Sequence, residues 1–274
     1  MPQTPLANVR LIATDLDGTL LDPDGRVTPR TAAAVRAARE AGVLVVPVTG
    51  RPPQAVWHII QTAGLGPLGV CCNGAAIVDL DERVVLQVDP LVAATAARLV
   101  DLVRAAEPDV RLACDDLDVF THERDFFDVP AAWDEEMRVV SDLRPVVAAS
   151  GCVKLIGRVP GLTATQLIAR LEDEIADEGH VTTSGLDWVD IGAPGVSKAL
   201  AVQRVCGMLG VAVDEVVAIG DNHNDLSVLG WAGQAMAPAN AVAEVRAVAD
   251  RLLPSNADGG VATLLEELVM TRCG

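Results

Sequence analysis

Short apolar runs that stop at chemistry-bearing polar residues recur along this chain, and no other feature constrains its fold as strongly. Val9 to Thr14, rich in β-branched residues, stops at Asp15. Val43 to Val48 stops at Thr49-Gly50-Arg51, Gly69 to Cys72 at Asn73-Gly74, and Glu215 to Ile219 at Gly220-Asp221; a fifth run spans Gln234 to Ala237. Runs of this kind suit strands buried on both faces. Helical segments stand between them. Thr28 as N-cap, Pro29 at the first position and an Ala-rich stretch ending at Gly42 predict one helix, Gln54 to Ala63 predicts another, and a third opens near Ser197. The alternation predicts an α/β protein with a doubly wound, mainly parallel sheet covered by helices on both faces. Only 3% of the residues are aromatic and Tyr is absent, so Val, Leu, Ile and Ala must supply the core.

Between about Glu82 and Asp190 the texture changes. Helical segments (Pro90 to Ala106, Thr163 to Asp177) alternate with hairpin-like strand pairs such as Val110 to Cys114 with Val119 to Thr121, and Cys152 to Val159 follows as another strand. Pairing of neighbours implies an α+β insertion. A chain of 274 residues is long enough for a second unit. The expected division is a catalytic core from 1–82 and 191–274, with 83–190 inserted as a separate domain.

The formal net charge of -17 and the lack of a Lys/Arg cluster exclude a nucleic-acid track. The same field repels anionic ligands, so a site for phosphate needs local cations. The six cysteines show neither a C-x-x-C pair nor zinc-type spacing and read as buried free thiols. No basic leader or membrane-length apolar run stands out, so the cytoplasm is the expected location and neither membrane nor nucleic acid an expected partner.

The chemistry concentrates at the strand ends. Ligands of open α/β sheets bind beyond the carboxyl ends of the strands, and the first strand ends in Asp15-Leu16-Asp17-Gly18-Thr19-Leu20. The glycine lets the chain turn so that both carboxylates can face one spot, although D-x-D-G also opens calcium loops and ordinary turns. Thr49 offers a hydroxyl beside a glycine, and Asp221-Asn222-His223-Asn224-Asp225 adds two more carboxylates. Two carboxylates roughly 4 Å apart repel by about 4 kcal/mol at an effective dielectric near 20. Four converging acids therefore require a cation, and an all-oxygen set suits Mg²⁺. Lys198 follows the N-cap Ser197, where the helix dipole disfavours positive charge, so a counter-charge is expected nearby; the plainer alternative is a solvated first-turn lysine.

The ordered motifs D-L-D-G-T-L (15–20), V-T-G-R (48–51), N-G-A (73–75), G-V-S-K (195–198), G-D-N-x-N-D (220–225) and S-N-x-D-G-x-V (255–261) resemble those of the haloacid dehalogenase superfamily, in its Cof-like class IIB phosphatases. The resemblance implies a Rossmann-like core with an inserted α+β cap that chooses the substrate. It implies Mg²⁺-dependent hydrolysis of small phosphate monoesters, sugar phosphates or similar metabolites. Asp15 would be the nucleophile that forms an aspartyl-phosphate and Asp17 the general acid and base. Asp15, Asp221 and the Asp17 main-chain carbonyl would hold the metal. Thr49, Gly50, Arg51, Lys198 and Asn224 would meet the phosphate or substrate, with Asp225 orienting Lys198 or the metal shell. A phosphomutase using the same intermediate and a noncatalytic phosphate-binding protein remain the alternatives.

Other residues carry less. Arg51 either contacts phosphate or pairs with an acidic neighbour. His223 reads as loop-facing, His58, His122 and His180 as structural or solvated, and Cys71 and Cys72 as packing thiols. The acidic segment Asp115 to Asp128 reads as a solvated surface loop or, facing the cleft, as a selector of hydroxyl- or amine-bearing leaving groups over polyanionic ones, and Trp133 or Trp188 could stack a sugar ring or simply fill a core. At Met236-Ala-Pro-Ala-Asn240 the chain departs from the family's usual methionine, glycine, asparagine succession.

Overall fold

A computed structural model describes residues 6–127 and 137–273. The chain begins β1 (Leu11–Thr14), α1 (Pro29–Glu40), β2 (Leu44–Pro47), α2 (Trp57–Ala63), β3 (Leu68–Cys71), β4 (Ala76–Asp79) and β5 (Val84–Val88). There follow α3 (Ala93–Ala106), β6 (Arg111–Asp115), β7 (Phe120–Glu123), β8 (Met137–Val140), α4 (Arg144–Ser150), β9 (Lys154–Arg158), α5 (Ala164–Ile175), β10 (His180–Thr182) and β11 (Val189–Gly192). The last third holds α6 (Lys198–Leu209), β12 (Val216–Ile219), α7 (Leu226–Trp231), β13 (Gln234–Pro238), α8 (Ala243–Val248), β14 (Arg251–Leu253) and α9 (Gly260–Cys273).

Two compact units result, one from Met1–Arg51, Val56–Gln87 and Ser197–Gly274, the other from Pro52–Ala55 and Val88–Val196. The first unit carries a parallel five-stranded sheet in the order β14-β13-β12-β1-β2. Its strands β1, β12 and β13 are buried at every position, which requires cover on both faces. On one face Leu11, Ala13, Val46, Val216, Ala218 and Ala235 share a core with the apolar stripe of α6 and with α7 and α8. Helices α1 and α9 pack together and reach β2 and β14 respectively. Helix α1 starts where expected: Thr28 accepts a hydrogen bond from Thr31 N, and Pro29 takes the first position, a cap worth about 1 kcal/mol.

The third apolar run departs from simple parallel winding. β3 touches the end of β2 through a single parallel bridge, Val48 with Val70, and then turns back antiparallel into β4. The reversal is made by Cys72, Asn73 and Gly74, all at positive φ; asparagine tolerates this region because its short polar side chain bonds locally.

The second unit has a six-stranded sheet in the order β10-β11-β9-β6-β7-β8, antiparallel except for β7 with β8. Leu112, Leu155 and Ile191 pack on α3 and α5, while Ala113, Phe120, Ile156 and Phe126 form a separate aromatic cluster with Trp188 at its margin. Asp115 is buried, with its carboxylate accepting from Leu117 N, whereas Asp116 is exposed and caps the β6–β7 turn. The segment is therefore in part a hairpin, with Asp115 and most of β7 buried, which corrects its reading as a solvated surface loop. Asp128 and Trp133 lie outside the described residues. Among the described residues no helix is long and apolar enough to cross a membrane.

Candidate active site

Three loops at the carboxyl ends of β1, β2 and β12, together with the first residue of α6, bring the sequence-predicted side chains into one part of the first unit. Asp15 N donates to Ile219 O at 2.9 Å, continuing the β1–β12 ladder past its last residues and fixing the 15–20 loop against the Asp221 loop. Residues 16–20 then wind in one wide turn, closed by Leu21 N donating to Leu16 O at 2.9 Å. Gly18 sits at φ +74°, and a Cβ there would fall 2.4 Å from an Asp221 carboxylate oxygen. Only glycine meets both demands.

Lys198 is the hinge of the electrostatics. It is 1% exposed, and its Nζ donates to Asp15 Oδ1 at 2.7 Å and to Asp225 Oδ1 at 2.6 Å. Ser197 caps α6 by accepting from Leu200 N, so the lysine opposes the helix dipole and is held there by two carboxylates. Burial pulls its pKa down, but Asp15 and Asp225 outweigh that and leave it raised. The other Asp225 oxygen accepts from Asp221 N and Asn222 N at 3.0 and 3.1 Å. With both oxygens engaged, Asp225 is a scaffold for Lys198 and for the loop.

Asp15, Asp221 and Asp225 each present a carboxylate oxygen within 4.8 Å of the others. One lysine among three acids leaves excess negative charge in a buried place. Accordingly burial, with help from Asp225 and Asp221 and against Lys198, holds Asp15 well above the usual carboxylate range. Burial and then Asp225 push Asp221 up to about 6, although Thr19 Oγ1 donates to its Oδ1 at 2.7 Å. Crowded, undercompensated oxygens of this kind fit a hard divalent cation.

Asp17 is turned elsewhere. Its two oxygens accept from Arg51 Nε at 2.7 Å and Nη2 at 2.5 Å, so its carboxylate does not join the three-acid group. Arg51 is thus placed on an acidic neighbour, one of the two alternatives left open by the sequence. Thr49 is buried; its hydroxyl oxygen accepts from Arg51 N at 3.1 Å, which folds Gly50 into a tight turn. Asn224 Nδ2 donates to Asn73 Oδ1 at 2.9 Å, and Asn224 Oδ1 is buried without a partner among the described residues.

Three residues had been given no role. Thr19 anchors Asp221, Asn73 holds Asn224, and Asn240 Nδ2 donates to Gly18 O at 2.8 Å. Thr19 and Asn73 stand inside matching motifs, which is the available signal; Asn240 stands in the segment that departs from the family pattern. His223 lies 3.9 Å from Glu244 and outside the acidic group, His58 is exposed, and Cys71 and Cys72 are buried free thiols.

Comparison with known proteins shows the family and the fold. The sequence signature of a family described as haloacid dehalogenase-like hydrolase matches residues 12–265. The chain is 29% identical to pyridoxal phosphate phosphatase YbhA of Escherichia coli strain K12, over 93% of this chain and 97% of that protein. It is 28% identical to 5-amino-6-(5-phospho-D-ribitylamino)uracil phosphatase YitU of Bacillus subtilis strain 168, over 94% and 96%. The fold matches a solved haloacid dehalogenase-like hydrolase from B. subtilis with a TM-score of 0.81 at 23% identity, covering 95% of this chain and all (100%) of that one.

Proposed function

The chain belongs to the haloacid dehalogenase-like hydrolases, and on that premise we propose that it is a Mg²⁺-dependent phosphatase of small phosphate monoesters, working through an aspartyl-phosphate on Asp15. The observation that carries this reading is the Asp15–Lys198–Asp225 chain, with Asp221 gathered beside it. A nucleophilic carboxylate, a buried fixed cation and a crowded oxygen set are what phosphoryl transfer needs from a protein.

In the proposed reaction an Asp15 oxygen attacks phosphorus and the ester oxygen leaves, taking a proton from Asp17. Asp17, now a base, removes a proton from the water that attacks the acyl phosphate, and Asp15 is regenerated with release of inorganic phosphate. Both roles require Asp17 to let go of Arg51, and the released carboxylate must take up a proton from solvent before the first displacement. An incoming phosphate dianion competes for the same guanidinium fork, so substrate arrival would free the acid at the moment it is needed. Lys198 and the Thr49 hydroxyl would hold the phosphoryl oxygens. Turning over both amides of the Asn73–Asn224 pair keeps their mutual bond and presents an Asn224 N–H donor as well. Asp15, Asp221 and the Asp17 carbonyl would hold Mg²⁺, which when bound would offset the charge between the carboxylate and the phosphate.

Residues 83–190 are proposed as the substrate-choosing insertion, because every residue given a chemical role lies outside them. The relatives named above act, by their names, on a phosphorylated pyridoxal and a phosphorylated ribitylaminouracil. That range supports a small metabolite ester as the substrate class. The test is phosphate release from p-nitrophenyl phosphate and a panel of sugar and cofactor monophosphates. Asp15→Asn should abolish release while leaving the fold intact; turnover at the wild-type rate would refute the assignment.

A further inference from the structure

Two asparagines remote in sequence from the nucleophile loop hold it by its main chain. Asn240 Nδ2 donates to Gly18 O at 2.8 Å, and Asn256 Nδ2 donates to Leu21 O at 2.9 Å. The pair is also joined directly, since Asn256 N donates to Asn240 Oδ1 at 2.9 Å. Asn240 is exposed, yet both ends of its amide have a partner on a different loop. Two residues on, Val242 N donates to Asp221 O at 2.9 Å, so the segment following β13 touches both loops that carry the proposed metal ligands.

The need for such a clamp follows from Gly18. Asp221 occupies the place of its side chain, so position 18 can only be glycine, and glycine has the widest choice of backbone conformations. Nothing in residue 18 itself holds the turn. Its carbonyl lies between Asp17, whose carbonyl is a proposed ligand, and Thr19, whose hydroxyl fixes Asp221. Fixing Gly18 O therefore sets the direction of the peptide groups on either side.

We propose that Asn240 and Asn256 are positioning residues that preorganise the 15–21 loop for divalent-cation binding. The inference rests on the metal reading proposed above. It also gives a use to the 236–240 segment that departs from the family pattern, and to the 255–261 motif that the proposed chemistry leaves idle.

The test is titration calorimetry of Mg²⁺ into the full-length protein, together with melting temperature in chelator and in saturating Mg²⁺. Asn240→Ala and Asn256→Ala should each weaken Mg²⁺ binding about three- to tenfold, the change expected for one hydrogen bond. The double variant should lose roughly the product, since the side chains hold different carbonyls. The melting temperature in chelator should barely move, which separates positioning from a purely structural role. Asp221→Asn serves as the reference and should bind Mg²⁺ far more weakly. Wild-type binding in Asn240→Ala beside a crippled Asp221→Asn overturns the clamp alone. Wild-type binding in both overturns the metal reading and the clamp with it.

Discussion

Arg51 grips Asp17 with two parallel hydrogen bonds, Nε to Oδ2 at 2.7 Å and Nη2 to Oδ1 at 2.5 Å. The side chains remain 35% and 44% exposed, so solvent screens the pair and opening it costs little. Arg51→Ala should leave the melting temperature within a few degrees of wild type and raise KM for p-nitrophenyl phosphate by about tenfold, the worth of one charge-assisted hydrogen bond. Arg51→Lys should recover only part of that affinity, because an ammonium cannot make the two-pronged contact. Steady-state kinetics on the three proteins decides it.

Lys198 stands at the opposite extreme of burial. Replacing it by alanine leaves Asp15 and Asp225 facing each other without a counter-ion, a loss of about 3–5 kcal/mol. Chemical denaturation of Lys198→Ala should show that loss, and phosphate release should fall below detection. Asp225→Asn should lower activity as well, since Lys198 would then be held from one side only.

Metal and proton should compete for the same oxygens. Asp15 is raised by burial and Asp221 is pushed up to about 6 from an ordinary 3.8. An acid whose pKa is higher in the folded state contributes stability that is complete below the unfolded value and is lost as pH rises through the folded one. In chelator, the melting temperature should therefore climb as pH is lowered from 7 through 6 toward 5. Saturating Mg²⁺ should flatten that climb, so the increment it gives is largest at pH 7. A scan in both media measures it; the same slope with and without Mg²⁺ would contradict the proposed ligand set.

Gly18→Ala adds a methyl group 2.4 Å from Asp221 at a backbone angle of +74°. The left-handed conformation alone costs roughly 1–2 kcal/mol for an L-residue. The variant should fold, since the rest of the sheet is untouched, but activity should drop by about a hundredfold or more and the response to Mg²⁺ should disappear. Activity assays over a Mg²⁺ series would reveal it.

Much of the first unit was legible because its signals are local. Thr28 and Pro29 announce α1, apolar runs announce β1, β2 and β12, and a lysine placed against the dipole at Ser197 announces a carboxylate near it. What escaped depends on partners far apart in the chain. That Asp17 turns to Arg51, away from the acids around Asp15, follows from where the 48–51 loop passes, which no spacing encodes. The β3–β4 reversal was hidden because an apolar run reads alike in a parallel and an antiparallel strand. Asn240 ends a segment that departs from the family pattern, and only the fold places Gly18 O within its reach.

The bond between Asp15 and Lys198 joins residues 183 positions apart, with the whole insertion between them. A ribosome must release most of the polypeptide before Asp15 meets Lys198, and Asp221 and Asp225 emerge later still. On the proposed assignment an unfinished chain should therefore be inert toward phosphate esters, and a truncated product ending before Lys198 should release no phosphate.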